Sequence, residues 1–382
     1  MVISRTRLAT TKTVFWYVLS WTACSMIAYR SLRSVGSFSW PEEFVVIASG
    51  ILAGLVSASF ELAAVPRLTR HYGAGAMVVL RSLGYLVSLA VFIHVFTFPL
   101  FGMVDDGDFL AFLRSERYRE FVLDGRFLIG VLGLTLMSFI ISFVVQVNRM
   151  LGRGTLLALL LGRYRRPVSE DRIFMFLDLR NSTSMTERLG DAGFNALKND
   201  FYYDLSEPVL QTGGRIYEYV GDEVVITWTY RNGLRAGNCI RCFFLIEREV
   251  WRSRQEYLDR YGVVPEFKAG LHGGPVVTSE IGDLRKDIVH SGDTVNTASR
   301  IESQCRPLGR KLLMSGSLLA RMPENLGLVL EDLGPVELRG KEVSVRLYSV
   351  DLAGTDDPIT GRRGSRWSDG IWNATRWGDV SR

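Results

Sequence analysis

Ile173 to Leu179 reads IFMFLDL and is followed at once by Arg180-Asn181-Ser182-Thr183 and then by a helical spacing of apolar residues. A short apolar run of this length, closed by a turn, is a buried strand, so the stretch predicts strand, turn and helix. It leaves the carboxylate of Asp178 at a strand end, beside the free backbone N–H groups of a helix start. Such a place suits a metal-bound phosphate, with Asp178 on the cation and the amides of Asn181, Ser182 and Thr183 on phosphate oxygens. An ordinary Asp-X-X-Asn/Ser helix cap has the same look, so the neighbouring segments decide the chemistry.

Arg215 to Trp228 (RIYEYVGDEVVITW) gives two β-rich runs joined at Gly221-Asp222, a strong hairpin signal that sets Asp222 at the tip. A lone Gly-Asp merely suits a turn. Paired with Asp178, however, it offers two strand-end carboxylates that could hold two divalent cations, as two-metal phosphoryl transfer requires. Glu266 to Gly274 (EFKAGLHGG) is a strand with Lys268 among apolar residues, an unusual setting for an ammonium unless it snorkels or meets a specific acceptor. In Ser291 to Gln304 (SGDTVNTASRIESQ), Gly292-Asp293 opens a helix on which Asn296 and Arg300, four apart, share one face. That pair is either a solvated face or a polar hand for a ribose and a phosphate.

Upstream, the chain changes character near Arg149. Of its 382 residues, those before about Asn148 hold four long apolar runs: Val14 to Tyr29, Phe44 to Ala64, Ser82 to Leu100 and Phe127 to Val147. Each approaches the roughly 20 residues needed to cross a bilayer. Arg5, Arg7 and Lys12 before the first run, Arg67 and Arg70 between the second and third, and Arg149, Arg153, Arg163, Arg165 and Arg166 after the fourth place both termini on the cytosolic side. The loop with Asp105, Asp106, Asp108, Glu116, Glu120 and Asp124 suits the outer side, and Arg30 and Arg33 run against the rule. Glu61, Arg81 and His94 are the ionisable groups in or near the runs; Glu61 and Arg81 are read as lying near span ends, where they snorkel or pair.

The predicted organisation is therefore a four-helix transmembrane domain (1–148), an amphipathic linker (149–170) that either carries movement or lies on the lipid surface, a catalytic domain (171–352) and a disordered tail (353–382). The net charge of +5 is basic, but Arg and Lys crowd beside the apolar runs, which points to lipid headgroups rather than nucleic acid. Cys24, Cys239, Cys242 and Cys305 are too few and scattered for a disulfide framework. Cys239 and Cys242 lie on a helical pattern and read as core thiols rather than half of a zinc site. His272 and His290 flank the proposed site, close enough in sequence to touch a nucleotide or simply to pack.

In order, FLDLRNST, YVGDEVV, FKAGLHGG, GDTVNTASR and a closing LRGKEVSVRLYSV resemble the catalytic core of class III adenylate and guanylate cyclases over roughly Arg172 to Val350. The membrane anchor and the GRYRRP linker resemble one bacterial branch of that family. The resemblance implies an α+β, ferredoxin-like catalytic domain working as a homodimer in a bacterial cell membrane, with ATP as substrate and two Mg²⁺ or Mn²⁺ ions as cofactors. Carried over, Asp178, Asp222 and the Leu179 carbonyl hold the metals. The partner subunit supplies Lys268 to adenine, Asn296 to ribose and Arg300 to the α-phosphate, and Lys341 contacts the outer phosphates. The position seven before Asn296, where adenylate-type members place an Asp or Thr and guanylate-type members tend to have Cys, is Val289, which cannot accept from an amino group. GTP as substrate, or a silent nucleotide-binding receptor domain, are the alternatives to adenylate cyclase. A transporter is disfavoured by the lack of charge pairs and broken-helix signals in the apolar runs.

Overall fold

The computed structural model describes residues 14–23, 25–27, 40–65, 73–92, single positions between 114 and 150, and 151–352 apart from 153, 154, 285 and 325. The chain divides into two compact units between Leu151 and Gly152.

In the first unit, residues 14–23 and 25–27 are helical. Helix α1 (Trp40–Ser59) runs on into a π-helical turn at Phe60–Ala64, and helix α2 covers Ala74–Phe92. Among the described residues one helix is long and apolar enough to cross a membrane, Val46–Ala63, with shorter apolar helices at Val14–Ile27 and Gly75–Val87. The expectation of four spans is thus met in the described residues by a single candidate, within the second of the four runs. Most of the fourth run, His94, the acidic loop apart from single positions that include Glu116 and Glu120, the N-terminal basic residues and the 353–382 tail lie outside the described residues.

The third run needs a correction. Sequence reading starts it at Ser82 with Arg81 near the span end, yet α2 begins eight residues earlier and passes through Arg81. The charge is tolerated because it is compensated in place. Arg81 is 1% exposed and donates to Glu61 across 3.0 Å. Glu61 also accepts from the Tyr85 hydroxyl at 3.1 Å, and Tyr85 shares a 2.6 Å bond with Tyr17. An Arg that would otherwise snorkel is held inside by a partner.

In the second unit a short helix α3 (Thr155–Leu160) precedes strand β1 (Val168–Leu179), so the strand takes up the last three residues of the expected linker. Then come α4 (Ser182–Gln211), which breaks direction at Gly190, the hairpin β2 (Arg215–Val220) and β3 (Glu223–Thr229), and helices α5 (Tyr230–Leu234), α6 (Asn238–Arg252) and α7 (Arg254–Tyr261). The chain continues through β4 (Phe267–Ile281), β5 (Asp287–Ser291), α8 (Asp293–Ser303), β6 (Leu312–Ser315), α9 (Gly316–Leu319), β7 (Leu328–Val336) and β8 (Val345–Leu352).

The strands form one mixed sheet in the order β2-β3-β1-β4-β6-β8-β7, with β5 paired to β4. Alternation along β1 sorts its side chains between two layers. Ile173, Met175, Leu177 and Leu179 face the main core with Phe194, Leu197 and Phe201 of α4 and Ile240, Phe243 and Ile246 of α6. Phe174 and Phe176 face the other way, onto Val225, Val276 and Ala298 of α8. Helix α8 lies on that second face so closely that a Cβ at Gly270 of β4 would stand 2.2 Å from the Glu302 backbone nitrogen. Cys239, Cys242 and Cys305 are buried and free, and burial pushes the Cys239 and Cys242 thiols up to about 12. They are core thiols, as their helical spacing suggested.

Candidate active site

Three strands converge on one charged row. Asp178 of β1 is the register partner of Glu223 on β3 and of Lys268 on β4, and cross-strand partners point to the same side of a sheet. The row Glu223, Asp178, Lys268 therefore emerges on the face that α8 covers. Lys268 Nζ donates to Asp178 Oδ2 at 2.7 Å and also to Glu302 Oε1. Glu302 is 5% exposed. Asp222 follows in the two-residue turn between Val220 and Glu223, where Gly221 takes φ 64. The Gly221 carbonyl accepts from Lys198 at 3.0 Å and from Tyr202 at 3.4 Å, tying the hairpin tip to α4.

The electrostatics of this cluster are those of too much negative charge. Burial, then Glu302 and Asp178, push the Glu223 carboxyl up to about 7, with Asp222 adding to the rise and Lys268 offsetting part of it. Burial raises Glu302 as well, against the pull of Lys268. For Lys268, burial alone would favour the neutral amine, but its hydrogen bonds to Asp178 and Glu302 outweigh that and hold it above the ordinary lysine value.

The remaining residues form a second cluster along α8. Asn296 is exposed and Arg300 half-buried. Arg300 Nη1 donates to the Gly340 carbonyl at 3.3 Å, and the adjacent Lys341 pairs with Asp293 Oδ2 at 2.9 Å. That contact, ahead of a small burial penalty, holds the Asp293 carboxyl below its usual range. The turn at Gly340-Lys341 thus lies against α8 from its first residue to its eighth.

Asn181 sits at the start of α4 with φ 57, a left-handed conformation that Asn tolerates better than most residues. It makes no side-chain cap, so what Asn181, Ser182 and Thr183 offer is the backbone N–H groups of a helix start. Arg180 is held beside them, its N–H on the Glu266 carbonyl at 2.8 Å and its guanidinium 3.3 Å from the Glu266 carboxylate. The Leu179 side chain is in the core at 1% exposure, so only its carbonyl could serve a metal. Val289 lies on β5 opposite Ser279. His272 and His290 are engaged inside the protein: His272 Nδ1 with Ser315 at 2.7 Å, His290 Nδ1 with Thr278 at 2.8 Å.

Sequence reasoning placed Asp178, Lys268 and Asp222 in separate motifs and missed the two carboxylates beside them. Glu302 carried a signal. Thr294, Ala298 and Glu302 recur at spacing four, and Thr297 and Ile301 lie between, so Glu302 sits on the buried stripe of α8. A Glu on a buried stripe opposite a Lys on a buried strand is a pair waiting to be drawn. Glu223 had no such signal beyond following Asp222.

An all-oxygen donor set of Asp178, Asp222 and a backbone carbonyl fits a hard dication, and the surplus negative charge at Glu223 is what such an ion would relieve. Among the described residues no group of three or more His, Cys, Asp and Glu is placed to hold a metal ion. An open, partly filled shell of one or two carboxylates is how magnesium sites completed by substrate phosphates are built.

Residues 167–351 match the family of adenylate and guanylate cyclase catalytic domains. The chain is 42% identical over 210 residues to adenylate cyclase 2 of Rhizobium meliloti (strain 1021), a match covering 55% of this chain and 58% of that protein. It is 28% identical over 183 residues to adenylate cyclase 1 of the same organism, covering 46% of this chain and 27% of the relative. The chain thus spans less than two thirds of the length of either. A solved bacterial light-regulated adenylyl cyclase shares the fold, with a TM-score of 0.50 at 19% identity over 60% of this chain and 67% of that one.

Proposed function

We propose that the protein is a membrane-anchored adenylate cyclase that converts ATP to 3′,5′-cyclic AMP and pyrophosphate. The observation that carries this reading is the register of β1 and β3, which sets the strand-end carboxylate Asp178 opposite Glu223, the residue that follows the hairpin-tip carboxylate Asp222, in a segment that matches the cyclase family. ATP rather than GTP is favoured by the 42% likeness to a protein named adenylate cyclase. Divalent cations held by Asp178, Asp222 and the Leu179 carbonyl would supply activation of the ribose 3′-hydroxyl and neutralisation of phosphate charge.

This chain's own residues do the rest. Asn296 orients the ribose so that its 3′-oxygen lies in line with the α-phosphorus. Arg300, four residues on, meets the charge that builds on the α-phosphate oxygens as pyrophosphate departs. Lys341 leaves Asp293 for the outer phosphates, and the amides at Asn181, Ser182 and Thr183 add uncharged donors. The carboxylate cluster and the Asn296–Arg300 face belong to different subunits of a C2 homodimer, each chain contributing one half to each of two sites. The anchor is the apolar helix around Val46–Ala63 together with the other apolar runs, with the catalytic unit on the cytosolic side of a bacterial cell membrane.

The test is nucleotide turnover by the membrane-embedded full chain with Mn²⁺ and with Mg²⁺. Cyclic AMP from ATP, lost in Asp222→Ala, is the expected result. Cyclic GMP in its place would transfer the reading to a guanylate cyclase, for which Val289, with no acceptor for the adenine amino group, is the feature in favour. Silence with both nucleotides and both metals would leave a nucleotide-binding receptor domain.

A further inference from the structure

The turn that carries Asp222 is held by α4, which packs on the sheet face opposite the charged row. Val220 pairs with Glu223, so Gly221 and Asp222 are the two central residues, and Gly221 takes φ 64 while Asp222 keeps a negative φ. A two-residue hairpin with positive φ at its first position alone is type II′. Type I′ is reached by flipping the peptide between the two residues and needs positive φ at Asp222 as well, a conformation that Asp tolerates better than most side chains. Because that peptide is planar, whatever fixes the Gly221 carbonyl also fixes the start of Asp222. Gly221 is exposed, and water would satisfy its carbonyl. Two side chains of α4 take it instead. Lys198 Nζ donates to it at 3.0 Å and the Tyr202 hydroxyl at 3.4 Å. Four residues apart, they share one face of the helix. Both are placed before they reach the turn: Leu197 and Phe201 seat α4 in the main core, the Tyr202 ring packs on Tyr219 with centroids 4.5 Å apart, and the Lys198 ammonium lies 5.8 Å from the centre of the Phe194 ring. Burial, then the charge of Asp222, raise the Tyr202 phenol to about 12, so it keeps the proton it donates.

We propose that Lys198 and Tyr202 are positioning residues for the reaction: together they brace the Gly221–Asp222 turn in its type II′ form and so set the aim of the Asp222 carboxylate. This rests on Asp222 being a metal ligand, as in the function proposed above. Without the brace the turn divides between its two forms, and only one of them presents Asp222 to a cation shared with Asp178. Divalent metal then binds with an affinity lowered by the fraction of chains in that form. Enough metal draws the population back, and catalysis proceeds at its ordinary rate.

The experiment follows cyclic AMP formation by the full-length chain in detergent against free Mn²⁺ at saturating ATP, with Mn²⁺ binding read by electron paramagnetic resonance and thermal melts on every variant. Lys198→Met keeps the aliphatic stem and loses the donor; Tyr202→Phe keeps the ring and loses the hydroxyl. The double variant should raise the half-saturating Mn²⁺ concentration about tenfold while the plateau rate stays near that of wild type. Lys198→Arg, which still brings a charged donor to Gly221, should restore the wild-type metal dependence. Mn²⁺ dependence unchanged in the double variant would overturn the brace. So would a loss of rate equal at every Mn²⁺ concentration and in step with the melting temperature, the outcome for an ordinary prop of the hairpin. Should the double variant fail to fold, each single variant carries the same prediction with a smaller shift. Asp222→Ala separates the two levels. If it binds Mn²⁺ and turns over ATP no differently from wild type, the metal reading itself falls; if it loses both while the double variant behaves as wild type, the brace alone falls.

Discussion

Glu302, at the end of α8, is turned into the protein and meets Lys268, whereas Asn296 and Arg300 on the same helix stand off the buried stripe and touch little. The first cluster draws on β1, β3, β4 and α8 and is tied together by one lysine shared by two carboxylates, with negative charge left in excess. The second rests on one helix and one turn. Asn296 is exposed, and the contact of Arg300 to Gly340 is a single 3.3 Å bond. Within one chain the carboxylate half keeps an excess of negative charge while Arg300 meets only a backbone carbonyl, as expected if each half is finished by substrate and by a second copy of the chain.

Complementation would break that comparison most decisively. Asp178→Asn disables the carboxylate half and Arg300→Ala the other, and each homodimer should lose on the order of 10²–10³ of its activity. Mixed and co-purified as heterodimers, the two inactive chains should regain activity, approaching half that of wild type, because one of the two sites then holds both intact halves. The readout is cyclic AMP per dimer. A mixture as silent as its parents would place both halves of a working site in the same subunit. In the Arg300→Ala homodimer the loss should fall on kcat more than on KM, since the guanidinium meets charge that develops in the transition state.

How far the molecule could be read from its sequence follows the same division. The strand–turn–helix at Ile173–Thr183, the hairpin closed at Gly221-Asp222 and the helix opened by Gly292-Asp293 are local. Each is set by turn residues and apolar period, and each stands where the sequence places it. The linkage of Lys268 to Glu302 is not local. It joins residues 34 apart that meet only because β4 lies beside β1 and α8 crosses both, and no single motif carries it. Arg81 and Glu61 do pair, as their places in the sequence allowed, but the bound drawn at Ser82 fails for a related reason. The two are 20 residues apart, so hydropathy alone ends an apolar run that the folded chain continues.

The tightness of the carboxylate half can be tested without touching a charge. Gly270→Ala would set a Cβ 2.2 Å from the Glu302 nitrogen and 2.8 Å from the Ala298 carbonyl. Neither is the far end of a flexible side chain, so α8 itself must shift. The expected cost is about 3 kcal/mol, read as a lowered midpoint in urea. If α8 moves as one body, Asn296 and Arg300 move with it and activity falls further than stability alone explains. An unaltered midpoint would show that α8 is not fixed at Glu302, and the contrast between a clamped and an open half would lose its basis.

The smallest effect concerns the far end of the same sheet face, where buried polar groups are again satisfied internally. His290 is 8% exposed, bonded through Nδ1 to Thr278, 4.0 Å from Glu170 and packed on Tyr217 and Phe174. Burial, then Arg172, lower its pKa to about 4, with Glu170 pulling the other way and Arg215 adding to the drop. The unfolded chain therefore takes up this proton at a higher pH than the folded one. Stability from His290 is complete above pH 6.5 and is lost as pH falls from 6.5 towards 4, by about 3 kcal/mol for this one residue. Half-buried His272, lowered to about 4 chiefly by burial and secondarily by Lys341, contributes in the same direction. His290→Gln should flatten the fall of the melting temperature across that window while leaving it nearly unchanged at pH 8. A variant as acid-sensitive as wild type would mean that His290 is already protonated in the folded state, and that this end of the face is less closed than the row of Glu223, Asp178 and Lys268.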